Sequence, residues 1–253
     1  MDCGVNLYSI RTLIQDEATY LATVEQLKEM GVKYLQHSGK PYDPELLRKV
    51  AKILPIVLTH VPYDRIVDDT ENLVNEHLSF GCTQIGLGSM PANPHDEASS
   101  FETIDKLEKA ACKIESMGAK FFYHHHSFEF FRFSDGRTLY DHLLERAPHV
   151  NLTLDTYWLQ YGGVDVCDTI RALKGKINCV HLKDYAMAGG PSTWDIKPTF
   201  ERVGYGNLDF QKIVTACKES GATYFLIEQD NAVTFDDTLG QIRDSVEYIR
   251  REL

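Results

Sequence analysis

The sequence predicts an α/β chain closed as a single (β/α)8 TIM barrel over residues 1–253, and three observations carry that expectation. A phrase recurs from end to end: an amphipathic helix stops on Gly, and an apolar strand begins one or two residues later. It reads Lys28-Glu-Met-Gly31 before Lys33-Tyr-Leu-Gln36, and His77-Leu-Ser-Phe-Gly81 before Gln84-Ile-Gly-Leu87. It returns as Glu115-Ser-Met-Gly118 before Lys120-Phe-Phe-Tyr123, and as Lys218-Glu-Ser-Gly221 before Tyr224-Phe-Leu-Ile227. Gly caps the helix in the left-handed conformation and sends the chain straight back into the sheet, which is how parallel β/α units are joined. A length of 253 residues is the usual size of such a barrel. Three apolar runs also end on metal-ligand side chains, at Asp155, His181 and Glu228. Neighbouring strand tips share a cation only if the sheet curls round it.

Taken in order, the first strand is Gly4-Val-Asn-Leu-Tyr8, followed by a helical pattern over 17–30 and a strand over 33–37. A helix over 43–53 leads to the apolar strand 55–60, and a helix over 66–80 to the strand 83–87. The helix 99–117 precedes the strand 120–125, and 137–146 precedes the strand 151–155, Asn-Leu-Thr-Leu-Asp. Helices over 165–173 and 208–219 flank the strand 177–182; the last strand, 223–228, is followed by a helix over 236–251. Eight strands alternating with eight helices close a barrel, and no linker or composition shift marks a second domain. A doubly wound open sheet is the competing arrangement. The longest connection, 184–207, carries Gly189-Gly190-Pro191, Trp194, Pro198 and Gly204-Tyr-Gly206, and is expected as a lid loop, or else as a surface excursion without a role.

Hydrophobic residues make up 43% and charged residues 25% of the chain, an ordinary balance for a globular protein with a sizeable core. Lys+Arg 26 against Asp+Glu 37 gives a net charge of −11, which repels phosphate backbones and argues against nucleic acid as partner. Cys3, Cys82, Cys112, Cys167, Cys179 and Cys217 follow no spacing, as expected in a reducing compartment. No signal peptide or membrane-spanning stretch is apparent, so a cytoplasmic location is expected. There is no Walker loop, no dinucleotide fingerprint and no nucleophile elbow. A homo-oligomer is left open, because apolar helix faces look alike over strands or over a partner.

The strand tips gather polar groups on one rim. Asp155, His181 and Glu228 are candidate ligands of a divalent cation such as Mn2+, Mg2+, Co2+ or Zn2+, and no Cys stands among them to favour a softer ion. Their bland readings are a turn or helix cap for Asp155, a hydrogen-bonded core imidazole for His181 and an Arg pair for Glu228. Strand alternation turns His124 and His126 inward and His125 outward, which makes His124 a ligand or proton carrier and His126 a substrate contact. Glu129, a few residues beyond the same tip, is a further carboxylate that could swing into the site. Lys183 shares parity with His181 and suits an oxyanion, a substrate hydroxyl or a phosphate, or else pairs with Asp184 or another rim acid. His60 and His37 are expected in the pocket, and Trp158 as a sugar-facing wall or as packing beneath its loop.

Several of these segments together resemble a known family. His124-His-His-Ser-Phe-Glu-Phe130, Leu154-Asp-Thr-Tyr-Trp158 with Gly162-Gly163, His181-Leu-Lys-Asp184, Val203-Gly-Tyr-Gly-Asn-Leu-Asp-Phe210 and Ile227-Glu-Gln-Asp230 are similar to the xylose-isomerase-like barrels. Within these they resemble the sugar phosphate isomerase/epimerase group, related to inosose dehydratases and ketose 3-epimerases. The resemblance implies a divalent metal held by Asp155, His181 and Glu228, a sugar or sugar phosphate substrate, and proton transfer beside a chelated carbonyl with Glu228 as base. The epimerases place a Glu ligand and second base at the tip of strand five, where this chain has His124. That departure favours one-base isomerisation, or an inosose-type dehydration, over a symmetric two-carboxylate epimerisation. A carbohydrate-binding barrel without turnover is the alternative outside catalysis, and an endonuclease IV-like nuclease fits poorly with the acidity.

Overall fold

The computed structural model describes residues 1–91 and 93–253. Its strands are β1 (Gly4–Asn6), β2 (Tyr34–His37), β3 (Ile56–His60), β4 (Gln84–Leu87), β5 (Lys120–His124), β6 (Asn151–Asp155), β7 (Ile177–Leu182), β8 (Asp184–Ala188), β9 (Lys197–Glu201) and β10 (Tyr224–Ile227). Eight of them run parallel in a closed barrel ordered β1-β2-β3-β4-β5-β6-β7-β10, shut by Gly4 and Val5 pairing with Leu226 and Ile227. β8 and β9 form a separate antiparallel hairpin. The fold is a (β/α)8 TIM barrel.

The outer shell contains α1 (Glu17–Glu29), α2 (Pro44–Val50), α3 (Tyr63–Asp68), α4 (Thr70–Ser79), α5 (Glu97–Ser116), α6 (Leu139–Arg146), α7 (Thr156–Tyr161), α8 (Val166–Ala172), α9 (Phe210–Glu219) and α10 (Thr238–Glu252). Asp16 opens α1 by accepting from Thr19 N, while Thr19 Oγ1 answers the Asp16 amide, so two unpaired donors at the helix start are satisfied together. Thr138 and Asp141 do the same for α6. The four glycines of the recurring phrase, Gly31, Gly81, Gly118 and Gly221, all take positive φ, as the turn into the sheet requires.

The structure departs from the sequence expectation at three places. The helix expected over 66–80 is two, because Asp69 leaves the helical region at φ −132° and ψ 34° while its carboxylate takes Arg65 and Asn72. The chain after β6 does not loop but enters α7 at once, capped by Asp155 itself. The connection 184–207, expected as a lid loop or a surface excursion, is built round the β8–β9 hairpin. Its base is Asp184, whose carboxylate accepts from the amides of Tyr185, Gly204, Gly206 and Leu208. A Cβ on Gly206 would stand 2.3 Å from Tyr185 O and 2.5 Å from Asp184 Oδ1, so only glycine closes this turn. Trp194, at the hairpin tip, is 94% exposed.

Strand alternation sets the barrel interior in layers. Tyr34, Leu58, Phe122, Cys179 and Leu226 pack together as an apolar floor. Two residues further along the same strands stand Gln36, His60, His124, His181 and Glu228. A period of two keeps both sets inside, so the polar layer rests directly on the greasy one at the C-terminal mouth.

Candidate active site

Asp155 uses its two oxygens differently. Oδ1 accepts from Trp158 N at 2.9 Å and starts α7, while Oδ2 is buried with no hydrogen-bond partner. The helix-capping reading is met by Oδ1, and Oδ2 is left over for another partner. His125, turned outward as alternation requires, packs between Phe130 and Tyr140 and accepts from Asp155 N at 3.1 Å, fixing the strand tip from behind.

His181 Nε2 lies 2.6 Å from the Gln36 carbonyl oxygen, which can only accept. An imidazole proton therefore sits on Nε2, and as a singly protonated ring His181 presents the Nδ1 lone pair. That lone pair is 2.6 Å from Glu228 Oε2 and 3.9 Å from Asp155 Oδ2, yet makes no hydrogen bond to either. Asp155, His181 and Glu228 each offer one donor atom, all within 4.8 Å of one another and buried. Three lone pairs aimed at one point repel unless a cation lies between them. The donor set, two carboxylates and a neutral imidazole, fits a borderline divalent ion. His124 borders this point, with Nε2 3.7 Å from Asp155 Oδ2 and neither ring nitrogen hydrogen-bonded although both are buried.

The electrostatics agree with this arrangement. Lys183 is buried with its ammonium 2.9 Å from Asp230, 3.3 Å from Glu228 and 3.8 Å from Asp155. Burial opposes its charge, but those carboxylates outweigh burial and raise its pKa. Burial likewise opposes ionisation of Glu228, and the Lys183 ammonium outweighs burial and holds its carboxyl well below the usual range. Asp155 is pushed up to about 7, burial prevailing over Lys183. Burial lowers the imidazoles His60 to about 3 and His126 to about 4, and His124 well below its ordinary value, so all three are neutral near pH 7. Three carboxyls face one ammonium, and burial raises two of them, Asp155 and Asp230, so a cation among them would favour their ionised forms.

Above the donors opens a cavity of about 540 Å³ whose walls include Tyr8, Ser38, His60, Tyr63, His124, His126, Lys183, Glu228 and Asp230. The structure thus brings together Glu228, Lys183, His124, His60 and His126 at the cavity, with Asp155 and His181 beneath them. His126 stacks on His124 with ring centroids 4.7 Å apart. Trp158 stands behind Lys183, whose ammonium is 5.1 Å from the Trp158 ring and 4.8 Å from Phe200 on the hairpin.

Two expected residues are placed elsewhere. Glu129 does not reach the mouth: its oxygens take the Tyr123 hydroxyl at 2.5 Å and His126 N at 2.8 Å, and Tyr123, odd in the β5 alternation, faces the helix layer. His37 is not a pocket residue either; it bonds the Tyr20 hydroxyl from α1 at 2.9 Å, since alternation puts Gln36 and Ser38 inside. Asp184, offered as a partner for Lys183, anchors the hairpin base instead.

Sequence reasoning missed Asn6, Gln36, Ser38 and Asp230. Asn6 donates to Glu228 Oε2 at 2.8 Å, and Gln36 orients His181. Asp230 lies two residues beyond Glu228, so counting alternation past that tip was the available signal there; Gln36 and Ser38 flank His37, whose parity had been assigned to the pocket instead.

The sequence profile of the xylose isomerase-like TIM barrel family matches residues 24–252. The chain belongs to this family. No curated protein matches it. Among solved structures, a sugar phosphate isomerase/epimerase from Parabacteroides distasonis superposes with a TM-score of 0.79 at 20% identity, covering 99% of this chain and 98% of that one. A xylose isomerase-like TIM barrel protein from Mycobacterium smegmatis, in complex with magnesium, gives 0.72 at 18% identity over 98% of this chain and 95% of its own. The probable 3-DHS dehydratase AsbF from Bacillus anthracis gives 0.71 at 12% identity over 100% of both chains. At these identities the likeness is one of fold. No helix among the described residues is long and apolar enough to cross a membrane, and all six cysteines are free.

Proposed function

We propose that this member of the xylose isomerase-like family is a divalent-metal-dependent isomerase or epimerase of a small sugar or sugar phosphate, moving a proton beside a carbonyl. The observation that carries the reading is the set of unpaired lone pairs on Asp155 Oδ2 and His181 Nδ1, with Glu228 Oε2, on the floor of a sugar-sized cavity. Asp155, His181 and Glu228 would hold the ion, with His124 beside them. A divalent cation bound there supplies polarisation of an adjacent carbonyl oxygen and acidifies the neighbouring C–H.

The rest is done by the chain's own side chains. Glu228 is the one member of the ligand trio that also lines the cavity, and Lys183 keeps it ionised, the form that accepts a proton. The Lys183 ammonium, 3.3 Å from Glu228, is fixed at the cavity wall, where it stabilises negative charge developing on a substrate oxygen. Neutral His126 offers a hydrogen bond to a hydroxyl, and Trp158 supports Lys183 from behind. The solved relatives named as isomerase/epimerase support this reading.

A second reading is dehydration, in the manner the dehydratase relative's name describes. The imidazole of His124 at the β5 tip favours it, because β-elimination needs one base, Glu228, and no second carboxylate at that tip. The deciding experiment combines metal analysis with C–H exchange into D2O over a ketose panel and mass analysis of products. Stoichiometric, chelator-removable cation with exchange supports the enzyme; loss of one water identifies the dehydratase. Neither signal leaves a carbohydrate binder, and cleavage of abasic DNA, which the net charge of −11 disfavours, would indicate the nuclease instead.

A further inference from the structure

Resting on the proposed cation site, we infer that Ser38 is a substrate-binding donor, its hydroxyl proton turned into the cavity by a one-way hydrogen-bond chain running His181–Gln36–His60–Ser38. Valence fixes each link. The Gln36 carbonyl oxygen, 2.6 Å from His181 Nε2, accepts the His181 proton. The Gln36 amide nitrogen can only donate, and it lies 2.8 Å from His60 Nε2, which must therefore be the unprotonated nitrogen. A neutral His60 then carries its proton on Nδ1, 3.2 Å from Ser38 Oγ. Ser38 accepts there, and its own proton has no partner among the described residues.

The geometry gives that proton one useful destination. Gln36 is fully buried at the barrel axis, while Ser38 and His60 both line the 540 Å³ cavity. Ser38 therefore presents a donor to a carbonyl or hydroxyl oxygen of the ligand. His60, tied at both ring nitrogens, is neither a cation ligand nor a base; it relays polarity from the cation site to the wall. The same amide keeps the His181 lone pair facing Asp155 and Glu228, so Gln36 is a positioning residue for both ends.

Two measurements test this. Ring-nitrogen NMR of the 15N-labelled protein, assigned with single His→Gln variants, should show His181 protonated on Nε2 and His60 on Nδ1. The reversed tautomers, with the Gln36 amide turned over, would leave Ser38 donating to His60 with nothing to give and overturn the proposal. Calorimetry with Co2+ and with L-ribulose and D-fructose forms the second arm. Ser38→Ala should bind Co2+ within about twofold of wild type but whichever ketose the wild type binds about three- to tenfold more weakly, the worth of one neutral hydrogen bond. Gln36→Leu should lose about tenfold or more in Co2+ affinity. Unchanged ketose binding by Ser38→Ala overturns the donor role. A wild type that takes up no Co2+ sinks the enzyme reading separately, and the ring-nitrogen signals still decide the direction of the chain.

Discussion

Among single residues, Asp155 and Glu228 divide the work that one carboxylate type usually does alone. Asn caps a helix about as well as Asp, so Asp155→Asn should keep the bond to Trp158 N and the fold, yet lose cation affinity by about 10–100-fold, measured by calorimetry. Glu228→Gln should cut turnover by about a thousandfold while sugar binding falls by about tenfold or less; full activity would remove Glu228 as the base. Glu129 gives a prediction about pH. Burial raises its carboxyl from 4.5 to about 7, so between those values the folded protein holds a proton that the unfolded chain has released. Its contribution to stability is present in full below pH 4.5 and is lost as pH rises through 7. Glu129→Gln should flatten the Tm-against-pH curve in that window relative to wild type; an identical slope would show that the residue is not buried as an acid.

The element that most separates this barrel from a plain alternation of strands and helices is the β8–β9 hairpin. Its base is set by Asp184 and Gly206, while the tip, Trp194 included, stands in solvent. Gly206→Ala forces a Cβ against the Tyr185 carbonyl and should cost about 1–3 kcal/mol, read by denaturant unfolding. Trp194→Ser should stay within about 0.5 kcal/mol of wild type in the same measurement. Phe200 carries the hairpin's contact to the site, 4.8 Å from the Lys183 ammonium, so the hairpin shields that charge from above.

For the barrel taken entire, the polar layer is a stability liability that a cation would relieve. Buried lone pairs on Asp155 and His181 oppose folding, and an ion that binds the folded state alone stabilises it by mass action. A free cation concentration of about 100 times Kd should add about 2.7 kcal/mol and raise Tm by about 5–10 °C for a chain of this size. A chelator should reverse the shift, and Asp155→Asn should shrink it to about half or less at the same cation concentration. A Tm indifferent to every divalent ion tested would remove the cation from the account.

The barrel and the trio at its rim are written in the linear chain. Four Gly-ended helices and the alternation of apolar strands with helical patterns mark eight β/α repeats, and local periodicity survives folding because helix caps and strand alternation are short-range physics. Asp155, His181 and Glu228 were legible for the same reason, each closing or nearly closing an apolar run. What those tips face emerges only when the sheet closes. That Gln36 orients His181, that Lys183 is held by Asp230 and not Asp184, and that Glu129 spends both oxygens on Tyr123 and His126 are contacts between distant segments or across a turn. No local pattern encodes them, because the partner of a buried polar group is fixed by which strands the closed barrel makes neighbours.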